Sequence, residues 1–136
     1  MSEHDTLFFR IKDAMDVAKS RREGMQMAVT LGFSQADATK IAVVISELGR
    51  NIVNYAGTGT ITVVARREGS GKRYIRIIAD DKGPGIPDVE RVLAGGYTTS
   101  NGLGLGVSGS RRLVDEFNID STVGRGTTIT AVKWLR

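Results

Sequence analysis

Cysteine is absent, which excludes disulfides and thiolate metal sites. His4 is the sole histidine and stands near the start, so a zinc centre has no ligand set and any metal must be bound through oxygen. No apolar run approaches the roughly 20 residues of a membrane span. The opening Met1-Ser2-Glu3-His4-Asp5 lacks both the basic flank and the apolar core of a signal peptide. Together these predict a cytoplasmic protein with no membrane partner. Aromatic residues are few, with three Tyr, four Phe and one Trp, and the basic pairs Arg21-Arg22, Arg66-Arg67 and Arg111-Arg112 are scattered. No basic stripe interleaved with stacking rings results, and nucleic acid is not an expected partner.

With 136 residues, 40% hydrophobic and 25% charged, the chain has the composition of one folded domain covering residues 1–136. Nineteen Lys+Arg against 15 Asp+Glu leave a net charge of +4, a modest excess that suits phosphates or acidic protein surfaces.

Leu7, Phe9 and Ile11 alternate as in a strand. Met15, Ala18, Met25, Ala28 and Val29 predict a helix near residues 14–31 that stops at Gly32. Ser34 with Asp37 three residues on forms a capping signal for a second helix. Its apolar residues Ile41, Val44, Ile45, Leu48, Ile52 and Tyr55 keep helical spacing to about Gly57. Residues 60–65 and 74–79 predict a hairpin, Pro87 a short helix to about Leu93, residues 106–117 a further helix, and residues 119–123 and 127–135 a closing hairpin. This order predicts an α/β two-layer sandwich, with helices on one face of a mixed, mostly antiparallel sheet.

Three separated segments carry chemistry. Glu47 and Asn51 are four residues apart on the second helix, on a stripe bordering its apolar face. One cleft can thus receive a carboxylate able to take a proton and an amide oxygen able to bind Mg²⁺ beside phosphate oxygens. Asp81 ends a strand and is followed by Gly83 and Gly85. Its carboxylate accepts the exocyclic amine of adenine and rejects guanine, whose O6 would meet it acceptor to acceptor. Six glycines fall between Gly95 and Gly109, and the N–H groups of Gly104, Leu105 and Gly106 open a helix, a ready anion site. Residues 94–103 read as a lid. The P-loop ending Gly-Lys-Ser/Thr is missing. Each segment alone is ordinary surface or turn chemistry; their combination points to ATP and Mg²⁺.

In these segments the chain resembles the GHKL superfamily of ATP-binding domains, and the resemblance implies the Bergerat/GHKL ATP-binding fold. It places Glu47 and Asn51 in the N box, and Asp81, Gly83 and Gly85, with Ile86 after them, in the first glycine box. Gly102, Leu103, Gly104, Leu105 and Gly106 fall in the second and Gly126-Thr127 in the third, where the Thr127 hydroxyl would support the adenine end. Ser46-Glu47-Leu48 with Arg50-Asn51, Asp81 through Asp88, Asp115-Glu116-Phe117 and Lys133-Trp134-Leu135-Arg136 resemble the RsbT-type serine/threonine switch kinases of the bacterial stressosome. That likeness implies a STAS-domain protein as phosphate acceptor and a PP2C-type phosphatase as second partner. Anti-sigma-factor kinases are a neighbouring group, but they carry a basic residue where this chain has Gly102. A nucleotide-gated binding module without transfer is the other alternative.

Overall fold

In the computed structural model, residues 4–66, 73–87, 89 and 103–135 are described, the side chains of residues 4 and 103–106 excepted. The elements are β1 (His4–Ile11), α1 (Ala14–Leu31), α2 (Gln35–Asn51), a π turn (Ile52–Ala56), β2 (Gly59–Arg66), β3 (Tyr74–Asp81), α3 (Leu103–Leu113), β4 (Glu116–Thr122) and β5 (Gly126–Trp134). The strands form one sheet in the order β1-β2-β3-β5-β4, and all four neighbouring pairs run antiparallel.

The helix boundaries follow from local chemistry. Asp13 caps α1 by accepting the Asp16 N–H, and the Asp16 carboxylate in return accepts the Lys12 N–H, both at 3.0 Å. At its other end Gly32 adopts φ 117°, and its N–H reaches the Ala28 and Val29 carbonyls. Ser34 then caps α2 through the Asp37 N–H, as the Ser34–Asp37 spacing predicts. Ile41, Val44, Ile45 and Leu48 on α2 are fully buried against Ile61 and Val63 of β2 and Ile75 and Ile77 of β3. Strand alternation sends Thr62 and Arg76 to the other face.

Two expectations are corrected. The second helix is not α-helical to Gly57: it passes at Asn51 into a π turn closed by the Gly57 N–H on the Ile52 carbonyl. The helix expected over 106–117 spans Leu103–Leu113 instead, and Phe117 lies in β4. Lys133 accounts for that end. Its ammonium, on a buried β5 side chain, donates to the Leu113 carbonyl at 3.0 Å, a cation on the last turn that only the folded sheet supplies. Asp115 then joins β5 through its N–H on the Val132 carbonyl. Of the short helix expected from Pro87 to about Leu93, only Pro87, a bend, and Val89, which is helical, are among the described residues.

α1 and α2 pack closely at Gly49, where an added Cβ would sit 3.0 Å from both Val17 methyl carbons. Valine is stiff at χ1, so rotation cannot relieve that contact. Gly49→Val should lower unfolding stability by about 1–3 kcal/mol. Thr39→Ala, on the exposed side of the same helix, should leave it within about 0.5 kcal/mol or raise it slightly. Urea denaturation of the two variants checks both expectations.

Candidate functional site

β3 and β5 bring the first and third glycine-bearing segments together, because their register sets Asp81 opposite Thr127. Three glycines make the approach possible. A Cβ on Gly126 (φ 135°) would strike the Asp81 carbonyl oxygen, and one on Gly85 (φ 80°) would lie 2.5 Å from the Thr122 carbonyl oxygen. On Gly83 it would lie 2.7 Å from Ala56 Cβ, so the loop after β3 packs on the π turn. The same loop is tied to the β4–β5 turn by the Gly124 N–H on the Pro84 carbonyl, 2.9 Å.

Asp81, Gly85, Ile86 and Thr127 line one pocket with Asn51 at the end of α2, Tyr55 of the π turn, Pro84 and Ile129. Asp81 Oδ1 accepts the Gly83 N–H at 2.9 Å. Burial raises the Asp81 pKa and the neighbouring Asp80 charge adds to the rise, against the lowering effect of hydrogen bonds from the Gly83 and Thr127 backbone. Beside it Ser121 acts as a hub: its hydroxyl oxygen accepts the Ile86 N–H at 2.7 Å, donates to the Gly126 carbonyl at 3.2 Å and lies 2.8 Å from Thr127 Oγ1. In the Ser121–Thr127 pair either hydroxyl can donate, so the proton positions adjust to what binds at the pocket wall.

Asn51 supplies the helical side. Its Nδ2 is buried and has no hydrogen-bond partner among the described residues, a feature that calls for a ligand at this wall. Its amide oxygen is suited to a hard cation, and among the described residues no cluster of three His, Cys, Asp or Glu exists to hold a metal by itself. A metal shared between Asn51 and phosphate oxygens fits this donor set. Glu47, one turn earlier, does not line the pocket; it lies beside it, with Oε1 2.6 Å from Arg50 Nη1. Leu103, Gly104, Leu105 and Gly106 form the first turn of α3, which packs on α2 and whose leading N–H groups lack helical partners. Gly102 and the lid residues before it lie outside the described residues.

Sequence reasoning missed three features. Ser121 has no local signal and is found only through the β4–β5 register that pairs it with Thr127. Tyr55 had the spacing of a core residue, and the Arg50–Glu47 pair was readable as an i, i+3 ion pair.

Asn51, Asp81 and Thr127, gathered around one pocket of an α/β sandwich, define a class. The family described as histidine kinase-, DNA gyrase B- and HSP90-like ATPase matches residues 36–136, and the chain belongs to this family, the GHKL superfamily. Within it the chain is closely related to RsbT-type serine/threonine kinases: it is 47% identical to the serine/threonine-protein kinase RsbT of Bacillus subtilis (strain 168), over 98% of this chain and 99% of that protein. It is also 28% identical to an anti-sigma F factor of Caldanaerobacter subterraneus subsp. tengcongensis, over 88% of this chain and 90% of that one. A solved chain with RsbU and RsbW domains from Mycobacterium tuberculosis shares the fold, with TM-score 0.66 and 21% identity. The match covers 97% of this chain and a third (33%) of that one. Among the described residues no helix is long and apolar enough to cross a membrane.

The raised Asp81 pKa has a stability consequence with a definite sign. The folded state holds this proton more tightly than the unfolded state, so the contribution is present below the ordinary carboxylate pKa and lost as pH rises through the raised folded value. Asp81→Asn keeps an oxygen for the Gly83 N–H and removes the half-buried charge. Nucleotide-free Asp81→Asn should therefore melt above the wild type at pH 7, and the gap should narrow as pH falls toward the ordinary carboxylate range. Thermal denaturation across pH measures this.

Proposed function

We propose that the chain is an ATP-dependent serine/threonine protein kinase of the RsbT type. It transfers the γ-phosphate of Mg·ATP to a STAS-domain protein in a bacterial partner-switching stress pathway, and activates a PP2C-type phosphatase by binding it. The observation that carries the reading is the gathering of Asn51, Asp81, Gly85, Ile86 and Thr127 around one pocket with Glu47 on the adjoining helical face. The 47% identity to RsbT supports it at nearly full length of both chains.

In this reading the whole chain, residues 1–136, is one ATP-binding kinase domain working in the cytoplasm, with neither nucleic acid nor membrane as partner. Asp81 accepts the adenine amine, and the Thr127 hydroxyl and the Ile86 side chain complete that end. Gly83 and Gly85 keep the loop thin enough for the base to enter. Gly102 and the leading N–H groups of α3, on Leu103, Gly104, Leu105 and Gly106, receive the phosphates, and residues 94–103 close over them. Asn51 holds Mg²⁺, which neutralises charge on the phosphate oxygens when bound. Glu47 takes the proton of the acceptor hydroxyl. As the new oxygen–phosphorus bond forms, the bond from the γ-phosphorus to its bridging oxygen breaks and the electron pair leaves with ADP.

The 28% identity to an anti-sigma F factor favours a second reading, an anti-sigma factor with serine kinase activity. Capture of a sigma factor distinguishes it.

For the leading reading, Glu47→Ala should lower phosphate transfer to a STAS-domain protein by about tenfold or more while ATP affinity largely survives. Asp81→Asn should instead weaken ATP binding by about tenfold or more in titration calorimetry. Unchanged transfer removes Glu47 from the base role, and undiminished affinity removes Asp81 from base reading.

A further inference from the structure

Ser121 is not among the residues lining the nucleotide pocket, yet its one side-chain oxygen meets the loop after β3 and two residues of β5. A serine hydroxyl has one proton and two lone pairs. One lone pair accepts the Ile86 N–H at 2.7 Å, which leaves one proton and one lone pair for the Gly126 carbonyl and Thr127 Oγ1. Two arrangements are open. In the first, Ser121 donates to the Gly126 carbonyl and accepts from Thr127, which then has only lone pairs for the pocket. In the second, Ser121 donates to Thr127, and the Thr127 proton is free for whatever binds. The contact with Thr127, 2.8 Å, is at the usual hydroxyl distance, whereas the bond to Gly126 is long at 3.2 Å. Going from the first arrangement to the second therefore gives up only the weaker bond.

Thr127 stands beside the carboxylate assigned to the base. Asp81 and Thr127 are register partners on β3 and β5 and share the sheet face of Ala79 and Ile129, and the Thr127 N–H hydrogen-bonds to the Asp81 carboxylate. Directly opposed residues hold their Cβ atoms about 4.5–5.5 Å apart. Adenine carries its exocyclic amine and N1 next to each other on one edge, a donor beside an acceptor. With the amine on the ionised, acceptor-only Asp81, N1 requires a donor at the adjoining position. The Thr127 hydroxyl meets that need directly or through one water. While Thr127 donates there, its 2.8 Å contact with Ser121 stays a hydrogen bond only if Ser121 supplies the proton.

We propose that Ser121 is a positioning residue for adenine: as the base enters, its O–H turns from the Gly126 carbonyl to Thr127 Oγ1, and Thr127 donates to N1 while Asp81 accepts from the amine. The Ile86 N–H stays on Ser121 throughout, so one oxygen holds both the loop after β3 and the hydroxyl that serves N1. The hydroxyl pair is adaptive rather than selective. A base with a proton on N1 is met by the first arrangement, so guanine and hypoxanthine are rejected where Asp81 faces O6 and not by Ser121 and Thr127. Ser121 thus adds affinity through N1 and leaves the choice of base to Asp81. The inference deepens the proposed adenine site and rests on it, but not on phosphate transfer.

The test pairs a change in the protein with a change in the ligand, using the full chain, Mg²⁺ and either ATP or 1-deaza-ATP, in which C–H replaces N1. In calorimetry the wild type should prefer ATP by about tenfold. Ser121→Ala should bind both nucleotides more weakly, because Ile86 loses its acceptor, and should also cut the preference to about threefold or less. Ser121→Thr, which keeps the hydroxyl, should retain the wild-type preference. Thr127→Val should lose the preference as well, and adding Ser121→Ala to it should lower the preference no further. Where Ser121→Ala does not fold, Ser121→Cys gives the same reading, since its S–H is a weak donor of similar shape. A Ser121 that only supports the loop would weaken both nucleotides by one factor and leave the preference intact, which overturns the proposal; so does a preference that survives Thr127→Val. Wild type that binds neither nucleotide overturns the adenine site itself, a failure distinct from loss of the N1 coupling.

Discussion

The antiparallel pairing of β3 with β5 is the constraint on which the site depends, because it sets the Asp81 strand end against Gly126-Thr127 with no room for a side chain between them. From that pairing the rest follows in steps. The loop after Asp81 is pressed onto the β4–β5 turn, Ser121 gathers the Ile86 N–H and the Thr127 hydroxyl, and the carboxylate sits half-buried in the resulting wall. α2 contributes Asn51 from outside the sheet, and its own position is fixed by Ile41, Val44, Ile45 and Leu48 in the core. A side chain at Gly126 would move β5 away from Asp81, and the two halves of the pocket would part.

The same wall contains the least comfortable groups of the structure. A carboxylate made harder to ionise by burial and a buried amide nitrogen without a partner both act against the nucleotide-free fold. Such groups are tolerated where a bound molecule satisfies them, and the stability they withhold is supplied by the apolar contact between the sheet and the two long helices. Glu47 differs in kind. It is paired with Arg50 near the surface rather than left buried without a partner.

Much of the fold was legible because its determinants are local. Asp13 was not singled out, but Ser34 with Asp37, the stop at Gly32 and the spacing of Ile41 to Leu48 act over a few residues, and the helices begin and end where those signals stand. The end of α3 was not legible, since Lys133 reaches Leu113 from a strand 20 residues away in sequence. Phe117 fits a helical pattern and a strand pattern alike, and its pairing with Ala131 decides for the strand. At the site, Asp81, Gly85, Ile86, Asn51 and Thr127 do converge on one pocket, whereas Ser121 depends on register and could not be read from the chain. Glu47 was placed correctly beside the apolar face of α2, but its pairing with Arg50 went unread.

The most direct measurement is a titration of the ¹⁵N-labelled protein with magnesium and a non-hydrolysable ATP analogue, followed by amide chemical shifts. Saturable shifts should concentrate at Gly83, Ile86 and Thr127, at the first turn of α3, and at the side-chain amide of Asn51. Shifts confined to the distant groove between Leu7 of β1 and Met27 of α1, or none at millimolar analogue, would contradict a nucleotide site built on the β3–β5 pairing.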